Sequence, residues 1–158
     1  RYLTRITGGN IHDNWTIKIN SNSILNDDPD CDPKNLVDYE IDSFYQSKDQ
    51  NGSFIVFDFK EKSINLDCCT IKNGKSQRHF YLKSWVIEGS NDENQWDVID
   101  SHVDDSKLDA DEIAVTFDVQ GKNASFYRFI KLRQTGQNWS RRGSHFSFWF
   151  PFIEFYGD

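Results

Sequence analysis

The 158-residue chain contains no methionine, not even an initiator, and is therefore expected to have been cut from something longer. It has no apolar run approaching the roughly 18 residues that cross a membrane, and no basic segment leading into an apolar one that would mark a secretory leader. Cations are scarce: 18 Lys and Arg face 25 Asp and Glu, for a formal net charge of −7 and a pI near 5.0. That balance excludes a non-specific nucleic-acid binder held by phosphate neutralisation and argues against attraction to an anionic membrane.

Only three cysteines occur, Cys31, Cys68 and Cys69. The adjacent pair would point to opposite faces of a strand, and bridging neighbours is strained, so reduced thiols in a cytoplasmic, intracellular protein are expected. His12, His79, His102 and His145 show no ligand spacing with these cysteines, and a zinc site is rejected. There is no Gly-x-Ser-x-Gly elbow, no His-Glu-x-x-His and no phosphate-cradling glycine loop, so no enzyme is expected. Four Asn-x-Ser/Thr triplets, at Asn14, Asn51, Asn123 and Asn138, would matter only in a secretory compartment.

What the chain does have is aromatic area: 13 Phe, 6 Tyr and 5 Trp make up 15% of the residues, enough to offset the entropy of ordering one domain. Short runs of β-branched and aromatic residues alternate with Gly, Asn, Asp and Ser clusters. They fall at Trp15 to Ile19, Phe54 to Phe59, Asn65 to Ile71, Trp85 to Gly89, Trp96 to Ile99, Ile113 to Val119, Phe126 to Arg133 and Phe146 to Tyr156. About eight strands and no 3.6-residue apolar stripe predict an all-β sandwich or barrel. The run Phe54 to Phe59 is dense enough for a strand buried on both faces. Residues 1–9 read as an incoming linker or helix tail, and 10–158 as the domain. Asn20 to Asp49 forms a long acidic connection, whereas Ser90 to Asn94 and Gln120 to Asn123 read as compact turns.

The stretch Lys83-Ser84-Trp85-Val86-Ile87-Glu88-Gly89-Ser90-Asn91-Asp92, followed by Trp96, resembles the coagulation factor 5/8 type C family, the discoidin or galactose-binding-like domains. Phe57-Asp58-Phe59, Tyr127 to Leu132 and Ile153 to Gly157 resemble further strands of that family in the same order. The resemblance implies an eight-stranded jelly-roll β-sandwich in which Trp96 returns to the core, and Asp58 is a hydrogen-bond anchor. Tyr2-Leu3-Thr4, Gly8 to Asp13 and Arg133 to Trp139 are closest to intracellular members that follow BTB and BACK regions. Secreted members commonly tie their two ends with a disulfide; here the termini lack cysteine, so strand pairing must hold them.

Asn35 to Tyr45 is similar to the family loop that holds a structural calcium, which implies Asp38, Ser43 and Glu154 as ligands. Calcium needs six to eight oxygens, and Tyr39 stands where the family has the glycine that aims a carbonyl inward. No cofactor is required, a structural Ca2+ being the single candidate. The Asp27 to Asp32 cluster reads as a solvated loop. Arg78, His79 and Tyr81 in one stretch, and Arg133, Asn138, Trp139 and Arg141 in another, supply planar donors and flat rings, the equipment of recognition. The leading function is a non-catalytic module that captures a protein or peptide within a larger intracellular protein. A lectin-like carbohydrate binder is the alternative. Lipid-headgroup binding comes third, for Phe44-Tyr45 is the one pair that could act as an apolar spike.

Overall fold

The computed structural model of the chain describes residues 17–38, 42–119 and 125–158. The segment 1–9 with its boundary at residue 10, His12, Trp15, Tyr39, the Gln120 to Asn123 turn and the sequons Asn14 and Asn123 lie outside those residues. Ten strands occur among the described residues: β1 (Lys18–Ser21), β2 (Tyr45–Gln46), β3 (Phe54–Asp58), β4 (Leu66–Lys72), β5 (Trp85–Ser90), β6 (Asp97–His102), β7 (Ala114–Asp118), β8 (Phe129–Gln134), β9 (Trp149–Phe150) and β10 (Phe152–Gly157). They form an antiparallel five-stranded sheet in the order β1-β3-β8-β5-β6, a three-stranded sheet β10-β4-β7 and a short pair β2-β9. The expected sandwich of eight main strands is present. The two additional strands are the two-residue pair β2 and β9, and Pro151 separates β9 from β10 where a single closing strand is expected. Proline lacks the N–H a continuous ladder needs.

The period-2 pattern sorts side chains between core and surface. From the larger sheet Ile17, Ile19, Ile55, Phe57, Trp85, Ile87, Ile130 and Leu132 point inward; from the smaller come Leu66, Cys69, Ile71, Phe117 and Ile153. Aromatic rings join the layers, Phe57 meeting Phe155 at 4.9 Å and Trp85 meeting Phe117 at 5.0 Å, both edge to face. The cysteines separate as expected: Cys69 faces the core, where burial pushes its thiol well up, and Cys68 does not; all three thiols are free.

The outward face of the larger sheet is dried by its own long cations. Glu88 is buried there, accepting from Arg133 Nε at 2.6 Å with Lys131 Nζ at 3.9 Å. Lys131 lies 3.9 Å from the Trp96 ring centre and 5.2 Å from that of Phe54. Trp96 therefore does not return to the core. It precedes Val98 by two residues and shares its outward face, while a bulge in the pairing of β5 with β6 leaves Ile99 to pack against the interior. Val56, between Ile55 and Phe57, is also buried, so β3 is covered on both faces. Asp58 is an anchor: it takes two hydrogen bonds from Arg128, at 2.8 and 3.0 Å, and one from Lys60 N–H at 2.7 Å.

The long acidic connection is not wholly solvated. Pro29–Cys31 and Pro33–Val37 are 3-10 turns, capped by Asp28 and Asp32, which each accept a backbone N–H at 2.9 Å. These turns bury Cys31, Pro33, Leu36 and Val37, while Asp27, Asp28 and Asp30 remain exposed. At the other end of the chain, Asn65 and Asp158 exchange backbone bonds at 3.0 and 3.2 Å, so pairing with β4 holds this terminus.

Candidate functional site

Antiparallel pairing dictates where the loops go. Since β1, β4, β6 and β8 run one way and β3, β5, β7 and β10 return, the connections 22–53, 73–84, 103–113 and 135–151 all emerge at one end. The two stretches read as a recognition surface thus reach the same end, and they are bonded together. Trp139 N–H donates to the Tyr81 carbonyl at 3.3 Å, and Trp149 N–H to the Phe80 carbonyl at 2.8 Å. Loop 103–113 joins from the other side, with Asp105 N–H on the Lys83 carbonyl at 2.8 Å and Glu112 N–H on the Gly74 carbonyl at 2.9 Å.

Within this end the expected residues divide into supports and presenters. Tyr81 is fully buried; its hydroxyl bonds Asp111 and the Gly74 carbonyl and accepts from Ser76 N–H. Burial and then the Asp111 bond push that hydroxyl well above its ordinary pKa. Asn138 is a staple inside its own loop: Nδ2 donates to the carbonyls of Ser144 and Ser147, and Oδ1 accepts from Ser140 N–H at 2.8 Å. Neither side chain presents itself to a ligand, because a buried polar group must spend its bonds internally. Arg133 stands on the outward sheet face, engaged with Glu88, rather than at the loop end.

The presenters are Arg78, His79, Trp139 and Arg141. His79 is exposed, takes a left-handed backbone (φ 54) and sits 3.6 Å from Asp109. Arg78, Arg141 and Arg142 are exposed, and their guanidinium groups have no hydrogen-bond or ion-pair partner among the described residues. The Trp139 ring is half-buried, with Lys83 Nζ 4.6 Å from its centre and its Nε1–H donating to the Asp105 carbonyl at 3.3 Å.

Below Trp139 lies a cluster that sequence reasoning missed. His102 bonds Asp105 Oδ2 through Nδ1 at 2.8 Å and Asp100 Oδ2 through Nε2 at 2.7 Å. The three side chains are 11%, 16% and 6% exposed respectively, and the imidazole stacks on Trp85 at 4.1 Å. Each ring nitrogen of His102 thus faces a carboxylate oxygen of its own. Burial raises the Asp105 carboxyl, but Lys107 N–H, the His102 bond and the charges of His102 and Lys107 outweigh it and hold the group below the usual carboxylate range. Asp105 thereby connects strand β6, the Lys83 carbonyl and Trp139. A signal was present in Asp100-Ser101-His102, since residues two apart share a strand face.

The calcium expectation concerns Asp38, Ser43 and Glu154. Asp38 ends the 3-10 turn Pro33–Val37, and Ser43 is half-buried beyond 39–41. Glu154 lies on β10 and accepts from the Tyr156 hydroxyl at 2.9 Å. Among the described residues no group of three or more His, Cys, Asp or Glu could hold a metal ion. The Phe44-Tyr45 spike is also absent: Tyr45 is fully buried and Phe44 leans on Trp149 at 5.6 Å.

Two stacked antiparallel sheets with four loops gathered at one rim define a galactose-binding-like jelly-roll module. The chain belongs to the F5/8 type C domain family, whose match spans residues 17–146. It is 28% identical over 120 residues to the E3 ubiquitin-protein ligase hecd-1 of Caenorhabditis elegans, covering 72% of this chain. To the E3 ubiquitin-protein ligase Ufd4 of Drosophila melanogaster it is 27% identical over 80 residues, covering 49%. The aligned parts span only 4% and 3% of those relatives' lengths. Among solved structures, CpGH89CBM32-5 of Clostridium perfringens, in complex with GalNAc-β-1,3-galactose, superposes with a TM-score of 0.69 at 14% identity, covering 90% of this chain and 96% of that one.

Proposed function

We propose that this F5/8 type C domain is a non-catalytic recognition module that captures a protein or peptide segment for a larger intracellular protein. The observation that carries the reading is the loop end itself, where Arg78 on loop 73–84, and Arg141 and Arg142 on the loop that carries Trp139, are exposed with guanidinium donors that have no partner among the described residues. Planar donors of that kind suit carboxylates and peptide carbonyls. A sugar stacks on an open aromatic face, yet Lys83 already stands over the Trp139 ring, 4.6 Å from its centre. Kinship with two E3 ligases supports a partner that is a protein, and the reduced thiols suit an intracellular setting.

The lectin-like reading keeps one support, the resemblance in fold to a module solved with GalNAc-β-1,3-galactose. A glycan array and an affinity capture, each run with wild type and with the Arg78→Ala/Arg141→Ala double variant, separate the two. Capture of a reproducible partner, lost in the variant at unchanged melting temperature and with a blank array, is the expected result. Array binding abolished by Trp139→Ala overturns it in favour of sugar.

A further inference from the structure

We infer that Asn51 is a site of spontaneous deamidation at the loop end of the domain, while Asn73, the other asparagine followed by glycine among the described residues, is protected by the fold. Both stand in Asn-Gly steps, Asn51-Gly52 and Asn73-Gly74. Glycine has no Cβ to shield its nitrogen from the preceding side chain and lets the backbone reach unusual angles. The two steps are therefore similar as sequence and differ only in their surroundings.

Asn51 is exposed at the tip of the turn between Gln50 and Ser53. Neither its amide nor the Gly52 N–H has a hydrogen-bond partner among the described residues. Gly52 has φ +80, and a Cβ placed on it would meet nothing within 4 Å. The turn is held through groups the reaction does not use: the Gly52 carbonyl accepts from Asn22 Nδ2 at 3.5 Å, Ser53 Oγ–H donates to the Gln50 carbonyl at 2.8 Å, and Gln50 N–H to the Lys48 carbonyl at 2.9 Å. The side chain is free to swing over the glycine nitrogen.

Asn73 is held. It is 1% exposed, its Nδ2 donates to the carbonyls of Leu108 and Ala110 at 2.7 and 3.1 Å, and its N–H donates to the Ile113 carbonyl at 2.8 Å. Gly74 packs against the Trp149 ring, and its carbonyl accepts from Glu112 N–H and the Tyr81 hydroxyl. Bringing the side-chain carbonyl of Asn73 onto the Gly74 nitrogen would break these bonds inside the core.

In the reaction the Gly52 nitrogen, giving its proton to solvent, attacks the side-chain carbonyl carbon of Asn51. The new C–N bond closes a succinimide ring, and the bond to the side-chain nitrogen breaks. That nitrogen leaves as ammonia, taking up a proton from solvent. Water then adds to either ring carbonyl, leaving aspartate or isoaspartate at position 51. Only water is consumed and only ammonia is released. The product carboxylate adds negative charge to the end that carries the arginines, because this segment is tied to loop 135–151. Ser47 N–H donates to the Phe148 carbonyl at 3.0 Å, and Asp49 accepts from Phe146 N–H at 2.8 Å.

The test ages the folded chain, and the same chain unfolded in urea, side by side at mildly alkaline pH. Tryptic peptide Asp49 to Lys60 reports Asn51, and an Asp-N peptide starting at Asp67 reports Asn73. In the folded protein the amide-to-acid mass gain is expected at Asn51 alone, with a more acidic species on anion exchange that Asn51→Gln abolishes. In urea both sites should convert. The inference is overturned if folded Asn51 keeps its amide over the time in which unfolded Asn51 loses it, or if folded Asn73 converts as fast as Asn51.

Discussion

His102→Ala is expected to be among the most damaging single substitutions in this domain. The imidazole is shared by two carboxyl groups, at 2.7 and 2.8 Å, and Asp100 and Asp105 are only 6% and 16% exposed. Removing it leaves two buried carboxyl groups without their shared partner, and breaking a buried pair costs roughly 3–5 kcal/mol. The ring also stacks on Trp85 at 4.1 Å, an aromatic contact worth about 0.5–1.5 kcal/mol more. For a chain of this size the sum lowers the melting temperature by about 10–20 °C. Thermal unfolding followed by circular dichroism reads the loss directly. A companion variant, His102→Ala with Asp100→Asn, removes one stranded carboxyl and should recover part of it. A loss within about 0.5 kcal/mol, the range of ordinary surface changes, would refute the reasoning, as would a companion destabilised further.

Three other outcomes follow from the same structure. Burial raises the Asp58 carboxyl, but the Arg128 bonds, Lys60 N–H and the nearby positive charges more than offset it and hold the group below its ordinary range. Its contribution is therefore complete above an ordinary carboxylate pKa of about 4 and disappears as pH falls through the lowered native value. Urea midpoints measured from neutral to acid pH should decline less steeply for Asp58→Asn than for wild type, and parallel curves would count against the assignment. In Gly89→Ala the new Cβ would lie 2.5 Å from the Tyr127 ring and 2.9 Å from Ile99 Cδ1, an overpacking expected to cost about 1–3 kcal/mol; an unchanged melting temperature would contradict it. Melting with calcium or with chelator should give one value. A rise with calcium would mean that a site built on Asp38, Ser43 and Glu154 is completed by groups outside the described residues.

Much of the fold was legible because burial follows the strand period. The run from Phe54 to Phe59 reads as covered on both faces, and β3 has Val56 buried outward and Ile55 and Phe57 inward. Asp58 reads as an anchor rather than an acid, and two bonds from Arg128 make it one. Trp96 was misplaced because a bulge in the β5-β6 pairing puts Ile99, rather than Trp96, against the interior. The recognition surface was legible as two stretches but not as roles. Exposed arginine and buried staple look alike in composition, and only bonding partners distinguish Arg141 from Asn138.

Alternating apolar and polar residues, abundant aromatic rings and turn-forming clusters determine by themselves that this chain makes an all-β sandwich or barrel, since strand periodicity and hydrophobic burial are local in sequence, and the family resemblance of its motifs narrows that to the sandwich. Which loops meet, which tyrosine supports and which arginine faces solvent were decided only by the tertiary structure. Antiparallel pairing carries residues as distant as Tyr81 and Trp139 to one rim, where each polar group either finds a partner inside or keeps its donors for solvent and ligand.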